Sequence, residues 1–131
     1  MPLENITDVI RASMNYERTR AEVASYNLAL ANVALDPGDA SPLLRVSAPS
    51  SFAAQVGLGQ PLVQPQLGND TRVVQDPSHP MADENGMVHY PKIEAANEMA
   101  TLVSATRAYE ANIRAYNSLR AMSLKAFEIG K

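Results

Sequence analysis

Met99-Ala-Thr-Leu-Val-Ser-Ala-Thr-Arg-Ala-Tyr-Glu-Ala-Asn-Ile-Arg-Ala-Tyr116 runs without a proline or glycine, and its reading decides the fold. Met99, Leu102, Thr106, Tyr109, Ile113 and Tyr116 recur at steps of three or four, the spacing of one face of an α-helix. The pattern continues through Leu119, Met122, Ala126 and Ile129, and neither Pro nor Gly interrupts residues 92–129. Glu94 and Glu98 at the front, with Arg120, Lys125 and Lys131 at the back, suit the helix macrodipole. Glu110 and Arg114 offer an i,i+4 ion pair in the better orientation. The expected helix is about 35 residues, roughly 52 Å long.

The other end of the chain carries a matching pattern. Leu3, Thr7, Ile10, Met14, Glu17, Ala21, Ala24, Leu28, Ala31 and Leu35 alternate steps of four and three, and Ile6 and Val9 widen the stripe. Asn5 with Asp8 is a start signal, and Asp36-Pro37-Gly38-Asp39 is a stop, because Pro disfavours helical geometry before it and Gly favours a turn. This predicts about 29 helical residues, roughly 43 Å. Seven of the nine prolines lie from Pro42 to Pro91, and fifteen of the twenty alanines lie outside residues 36–91. Within that middle, Arg45-Val46-Ser47, Leu62-Val63 and Arg72-Val73-Val74-Gln75 read as short strands. Met87-Val88-His89-Tyr90 reads as the second strand of a hairpin turned by Asn85-Gly86, and Ser50 to Asn69 reads as loop. The fold class expected is mainly α: two long terminal helices paired as an antiparallel coiled coil, with a small irregular β-containing middle and a short hairpin near 72–90. Residues 1–35 and 92–131 form one discontinuous coiled-coil domain in this reading, and 36–91 a Pro-rich middle segment.

Composition narrows function. The 131 residues are 46% apolar and 19% charged, with a net charge of −3 and no Cys. That leaves no disulfide, thiolate metal site or thiol nucleophile. The charge balance lacks the basic footprint of a nucleic-acid binder. No apolar run approaches the ~18 residues of a transmembrane helix, and the N-terminal residues do not read as a cleavable secretory signal. Asp83-Glu84-Asn85-Gly86 suggests a calcium loop only superficially, because the EF-hand register puts Met81 and Lys92 at ligand positions. His79 and His89 are the only histidines, and a zinc site would need Asp76 or Asp83 as further ligands. A surface His79 and an outward-facing strand His89 are the simpler reading. There is no phosphate loop and no Gly-x-Ser-x-Gly turn. No catalytic residue, cofactor, metal or small-molecule substrate is expected.

The apolar pattern points to assembly instead. Val9, Val23, Leu30, Val103 and Leu124 lie off the main stripes, so each helix offers apolar surface on more than one side, and such surface usually marks an interface. Asn27, Asn32, Asn112 and Asn117 lie in or beside the stripes, where polar residues can fix register. The residues this reading assigns to the interface are Leu3, Ile10, Met14, Ala24, Asn27, Leu28, Asn32, Met99, Leu102, Arg107, Tyr109, Asn112, Ile113 and Tyr116. A head-to-tail contact of this kind generates rings or open helical filaments. The alternative is a soluble helical adaptor or secretion chaperone that binds a partner helix.

Residues 72–91, Arg72-Val-Val-Gln-Asp-Pro-Ser-His-Pro-Met-Ala-Asp-Glu-Asn-Gly-Met-Val-His-Tyr-Pro91, closely resemble the segment before the last helix in the FlgC family of flagellar basal-body proximal rod proteins. The family pattern Asp-Pro-x-His-Pro-x-Ala-Asp-x-x-Gly-x-Val-x-Tyr-Pro is met at Asp76, Pro77, His79, Pro80, Asp83, Gly86, Tyr90 and Pro91, and at the positions between. Glu98-Met99, Ser104 to Asn112 and Ile129-Gly130-Lys131 are similar to the family's C-terminal signature. Ser25-Tyr26-Asn27-Leu28-Ala29-Leu30-Ala31-Asn32-Val33 is a looser match to the motif that ends the first helix in flagellar axial proteins. There Leu30 stands for an Asn and Val33 for a Thr, and Pro42-Leu43-Leu44-Arg45 lacks a Tyr that often follows the Pro.

The resemblance implies a structural subunit of the periplasmic rod of the bacterial flagellum. It implies export through the flagellar type III apparatus and assembly of the terminal helices into an inner coiled-coil layer. The implied partners are other rod subunits, the hook–basal-body adaptor and further copies of the chain. The implied action is torque transmission.

Overall fold

The computed structural model describes residues 2–47, 61–66 and 71–130. The side chain of Leu3, Lys131 and most of the expected Ser50–Asn69 loop lie outside them. Two helices, α1 (Pro2–Leu30) and α2 (Ala95–Ile129), flank strands β1 (Leu44–Ser47), β2 (Leu62–Pro65), β3 (Thr71–Gln75) and β4 (Met87–Pro91). The chain is mainly α, with two short antiparallel hairpins between the helices.

Helix α1 begins ahead of its expected cap, so Asn5 lies inside the helix. Pro2 is well placed there, because the first turn has no use for its missing N–H. The helix also stops five residues before the Asp36-Pro37-Gly38 signal. Ala31 N–H and Val33 N–H donate to Leu28 and Leu30 carbonyls at 3.2 and 3.1 Å, which tightens the chain into a turn. The cause of the early stop is tertiary: Leu35 N–H donates to the His89 carbonyl at 2.7 Å, pairing residue 35 with β4. At the other end, α2 starts after Glu94, whose carboxylate accepts from the Asn97 side-chain amide. It closes with Gly130 N–H on the Ala126 carbonyl at 3.1 Å.

The helices pack antiparallel. The Asn112 amide donates to Ser13 Oγ at 2.8 Å across the seam, and Ala24 and Asn27 share a cleft with Glu98 and Thr101 near the other end. Ala24 and Ala105 are buried in the seam. Such small side chains let helix axes approach the short end of the usual ~8–10 Å range. Stepping along α1 from Ser13 while stepping back along α2 from Asn112 sets the start of α1 opposite residue 123. The last six residues of α2, about 9 Å of helix, run past that point.

Strands β1 and β2 pair antiparallel from Leu44↔Pro65 to Ser47↔Leu62. Strands β3 and β4 pair from Thr71↔Pro91 to Gln75↔Met87, the hairpin expected near 72–90. Their connection differs from the expected two-residue Asn85-Gly86 turn. It spans residues 76–86, because Asp76 N–H donates to the Gly86 carbonyl and Asp83 N–H to the Met87 carbonyl, at 3.0 and 2.8 Å, folding the whole segment onto the strand ends. Gly86 sits at φ +73°, and a Cβ there would lie 2.9 Å from Pro77 Cγ.

Replacing Gly86 with Ala therefore costs backbone strain and a clash together. Urea unfolding of the G86A chain is expected to show roughly 1–3 kcal/mol of destabilisation. An unchanged midpoint would show that this turn does not hold the hairpin.

Candidate functional site

The surfaces available for function are the helix seam, the flanks beside it and the hinge where the middle segment meets α1. Of the residues assigned to assembly from the pattern, Ala24 and Asn27 are buried. Ile10, Met14, Leu28, Leu102, Tyr109, Asn112 and Tyr116 are half-buried. Asn32, Met99, Arg107 and Ile113 are exposed. The seam is rotated from the expected stripes. Val23, off the first stripe, is buried, and Ala105 rather than its neighbour Thr106 occupies the contact on α2. A single partner covers only one side of a broad apolar stripe, and the most deeply buried described positions of the two helices are alanines. Met99 (57% exposed) and Ile113 then fall on the flank.

Asn27 is the polar residue on which the hinge turns. Its Nδ2 donates to the Leu44 carbonyl at 2.9 Å, and its Oδ1 accepts from the Leu44 N–H at 3.0 Å. One side-chain amide thus satisfies both backbone hydrogen-bonding groups of Leu44 in β1, as a neighbouring strand would. Leu43 is buried beside it, and its carbonyl accepts Gln66 N–H from beyond β2 at 2.8 Å. The four asparagines flagged by sequence divide accordingly. Asn27 and Asn112 are used within the chain, while Asn32 and Asn117 are exposed.

The motif residues of 76–91 build a self-supporting loop. Asp76 Oδ1 accepts from Ser78 Oγ at 2.6 Å and Ser78 N–H at 3.2 Å. The Ser78 hydroxyl, more than any other contact, holds the Asp76 carboxyl below its ordinary range. His79 Nδ1 accepts from Met81 N–H at 3.1 Å. Asp83 Oδ1 accepts from Asn85 and Met87 N–H at 2.8 and 2.9 Å, and its Oδ2 lies 3.1 Å from His89 Nε2. The Met87 N–H, then His89, keeps the Asp83 carboxyl below the usual carboxylate value. His89 is thus a half-buried partner of Asp83, not the outward-facing surface residue its strand position suggested. Val88 and Pro91 are fully buried, and the Arg72 guanidinium lies 4.8 Å from the ring centroid of its cross-strand neighbour Tyr90. Sequence alone placed these residues in one hairpin but could not assign these bonds, because the eleven-residue connection closes through side-chain oxygens.

Where α1, β1 and α2 meet, a cleft is lined by Arg20, Arg45, Gln66, Glu98 and Thr101 beside Asn27. Two guanidinium groups and one carboxylate line this one opening. Among the described residues, no three of His, Asp and Glu converge as a metal-binding set.

This geometry, a helix pair with uncovered flanks and an internally bonded hairpin, is that of an assembling structural subunit. The family described as "Flagellar basal body rod FlgEFG protein C-terminal" matches residues 84–129. The chain is 31% identical over 138 residues to the flagellar basal-body rod protein FlgC of Salmonella typhimurium, covering all of both chains. It is 30% identical over 137 residues to that of Aquifex aeolicus, covering all of this chain and 99% of the relative. Over 63 residues it is 46% identical to FlgC of Bacillus subtilis, covering 48% of this chain and 42% of that one. The chain belongs to the FlgC family of flagellar basal-body rod proteins.

Two measurements test the hinge and the hairpin. N27L strands the Leu44 N–H and carbonyl, and urea unfolding is expected to show a loss of about 1–3 kcal/mol. A neutral result would show that water replaces the amide. Because the folded value of Asp83 is depressed, its stabilisation is present above the unfolded value of about 3.9 and is lost as pH falls through the folded value. The Met87 amide proton should accordingly titrate with a midpoint below ordinary Asp in NMR spectra, and D83N should abolish that transition. A midpoint at or above the ordinary value would contradict the geometry.

Proposed function

We propose that this chain is a structural subunit of the proximal part of the flagellar basal-body rod. In this reading it is held there by packing of its helix pair against the helices of neighbouring axial subunits. Its action is mechanical: α-helices anchored along their length pass torque from one neighbour to the next, without chemistry. Residues 1–35 and 92–131 act as the anchoring domain, and 36–91 as a segment held to its side by Asn27 and Leu35. The fourteen positions from Leu3 to Tyr116 assigned from the pattern are part of the anchoring surface. The partners are other rod subunits and the hook–basal-body adaptor, reached through the flagellar type III export apparatus, with assembly in the periplasm.

The observation that carries this reading is the end of α2. Phe127 lies on the same side of α2 as Ala105, Asn112 and Tyr116, the side turned to α1, yet beyond the start of α1. It is 72% exposed, Ile129 is 86% exposed, and Met122 and Leu124 are exposed with them. Fully burying one such side chain is worth about 1.5–3 kcal/mol, so this end favours a helix from another subunit. On the flanks, Val9, Val33, Met99 and Val103 add exposed apolar surface of the same kind. An adaptor that binds a single helix would leave most of these surfaces in water.

The test is complementation. A host lacking its own copy should swim when given the wild-type gene and fail to spread in soft agar when given F127S/I129S. The purified variant should keep wild-type helix content and thermal midpoint, because neither side chain is buried in the free chain. Wild-type swimming with the double variant would overturn the role given to this end.

A further inference from the structure

The two helices treat their charges differently. Every arginine of α1 has a carboxylate of α1 beside it: Arg11–Asp8 at 3.9 Å, Arg18–Glu22 at 2.8 Å and Arg20–Glu17 at 2.8 Å. On α2 the exposed Arg107, Arg114 and Lys125 have no carboxylate within ion-pairing distance among the described residues. The pair expected between Glu110 and Arg114 does not form. Steps of seven and eleven residues return to within about 20° on an α-helix, so the three cations stand in one line about 27 Å long, on the side away from α1. Ala111, Ser118 and Ala121 fill much of the space between them, with the exposed Glu110 at the edge of the line.

The complementary charge lies elsewhere in the same chain. Asp36 and Asp39 in the turn after α1, and Glu84 in the long hairpin connection, are exposed and have no cation within ion-pairing distance among the described residues. The fold leaves both sets unneutralised.

We infer that the basic line of α2 docks the acidic turns of a second copy of this chain. The contact joins two different surfaces, so it repeats head to tail and builds a ring or an open helical array rather than a closed two-fold pair. Exposed ion pairs contribute little affinity singly. Their effect is to select the neighbour and set its register, because like charges meet in any other alignment. The inference rests on the reading of the chain as an assembling subunit, and it identifies which surfaces of two copies meet.

Sedimentation velocity over a concentration series tests both levels. Wild-type chain is expected to associate, and the association to weaken about tenfold as salt shortens the screening length from about 10 Å to about 3 Å. R107E/R114E makes both surfaces acidic, and D36K/D39K makes the helix line and the turn after α1 basic. Each variant alone is expected to stay monomeric with wild-type helix content. An equimolar mixture of the two should associate again, because each then offers the other an opposite charge. A wild-type chain that is monomeric at every concentration overturns the assembly reading and this inference together. Association that ignores salt, or variants that associate alone as the wild type does, overturns this inference only. Binding of wild-type chain to anionic phospholipid vesicles or to duplex DNA, in place of self-association, also overturns it.

Discussion

A seam of alanine is the constraint on which this fold depends. Ala24 and Ala105 are the most deeply buried described residues of α1 and α2, and they admit a close approach of the helices because they carry no heavy atom beyond Cβ. The same smallness limits what the contact can contribute, since burial stabilises by about 0.8 kcal/mol per CH₂. Bulkier side chains at these positions would push the helices apart and turn the Asn112–Ser13 bond, 2.8 Å long, into a gap. The pair is therefore geometrically well defined and energetically modest. Each helix has one covered side, and the apolar residues on its other sides remain for something else.

The middle segment is attached by different means. Among the described residues, hydrogen bonds tie it to the N-terminal part at two points, the Asn27 amide on the Leu44 N–H and carbonyl and Leu35 N–H on the His89 carbonyl. Leu43 is buried at the first of them, while Val88 and Pro91 bury themselves at the second. Directional bonds of this kind fix an orientation more firmly than they add stability, each contributing about 1 kcal/mol net. That suits a part whose position relative to the helices matters for its neighbours. The hairpin can keep its own shape meanwhile, since Asp76, His79 and Asp83 satisfy its turns from within.

Helix existence, length and partner were legible in the sequence because a stripe at 3.6-residue spacing is a physical property of the local chain. The strands near 45, 62 and 72 were legible as short β-prone runs between prolines, and the one near 87 by its alternation after Asn85-Gly86. What was not legible was set by contacts distant in sequence. Helix α1 ends at Leu30 because residue 35 is claimed by β4, and no local signal near Leu30 announces it. The seam falls on Ala105 rather than Thr106 because shape, not hydrophobicity, decides closest approach. Asn27 reads as a defect in an apolar face until β1 is laid beside it. The 76–91 motif was recognisable as a pattern, but a pattern does not state that Asp83 holds two backbone N–H groups and a histidine.

In the proposed assembly, apolar surface and charge divide the work of joining neighbours in one arrangement. Apolar flanks supply free energy, yet they are tolerant of sliding: a helix shifted by one turn against Met99 and Val103 still covers them. Charge is poor at supplying free energy in water but intolerant of misplacement. An Arg107 aligned with another arginine is penalised, and one aligned with an aspartate is not. A filament that carries torque needs both properties, because a contact that slides dissipates the load and one that merely orients does not hold it. In the proposed assembly these properties sit side by side on α2, where Met99, Val103 and Arg107 line one opening, apart from the side on which Ala105 is buried; one helix thereby holds its own chain, grips a neighbour and sets that neighbour's register.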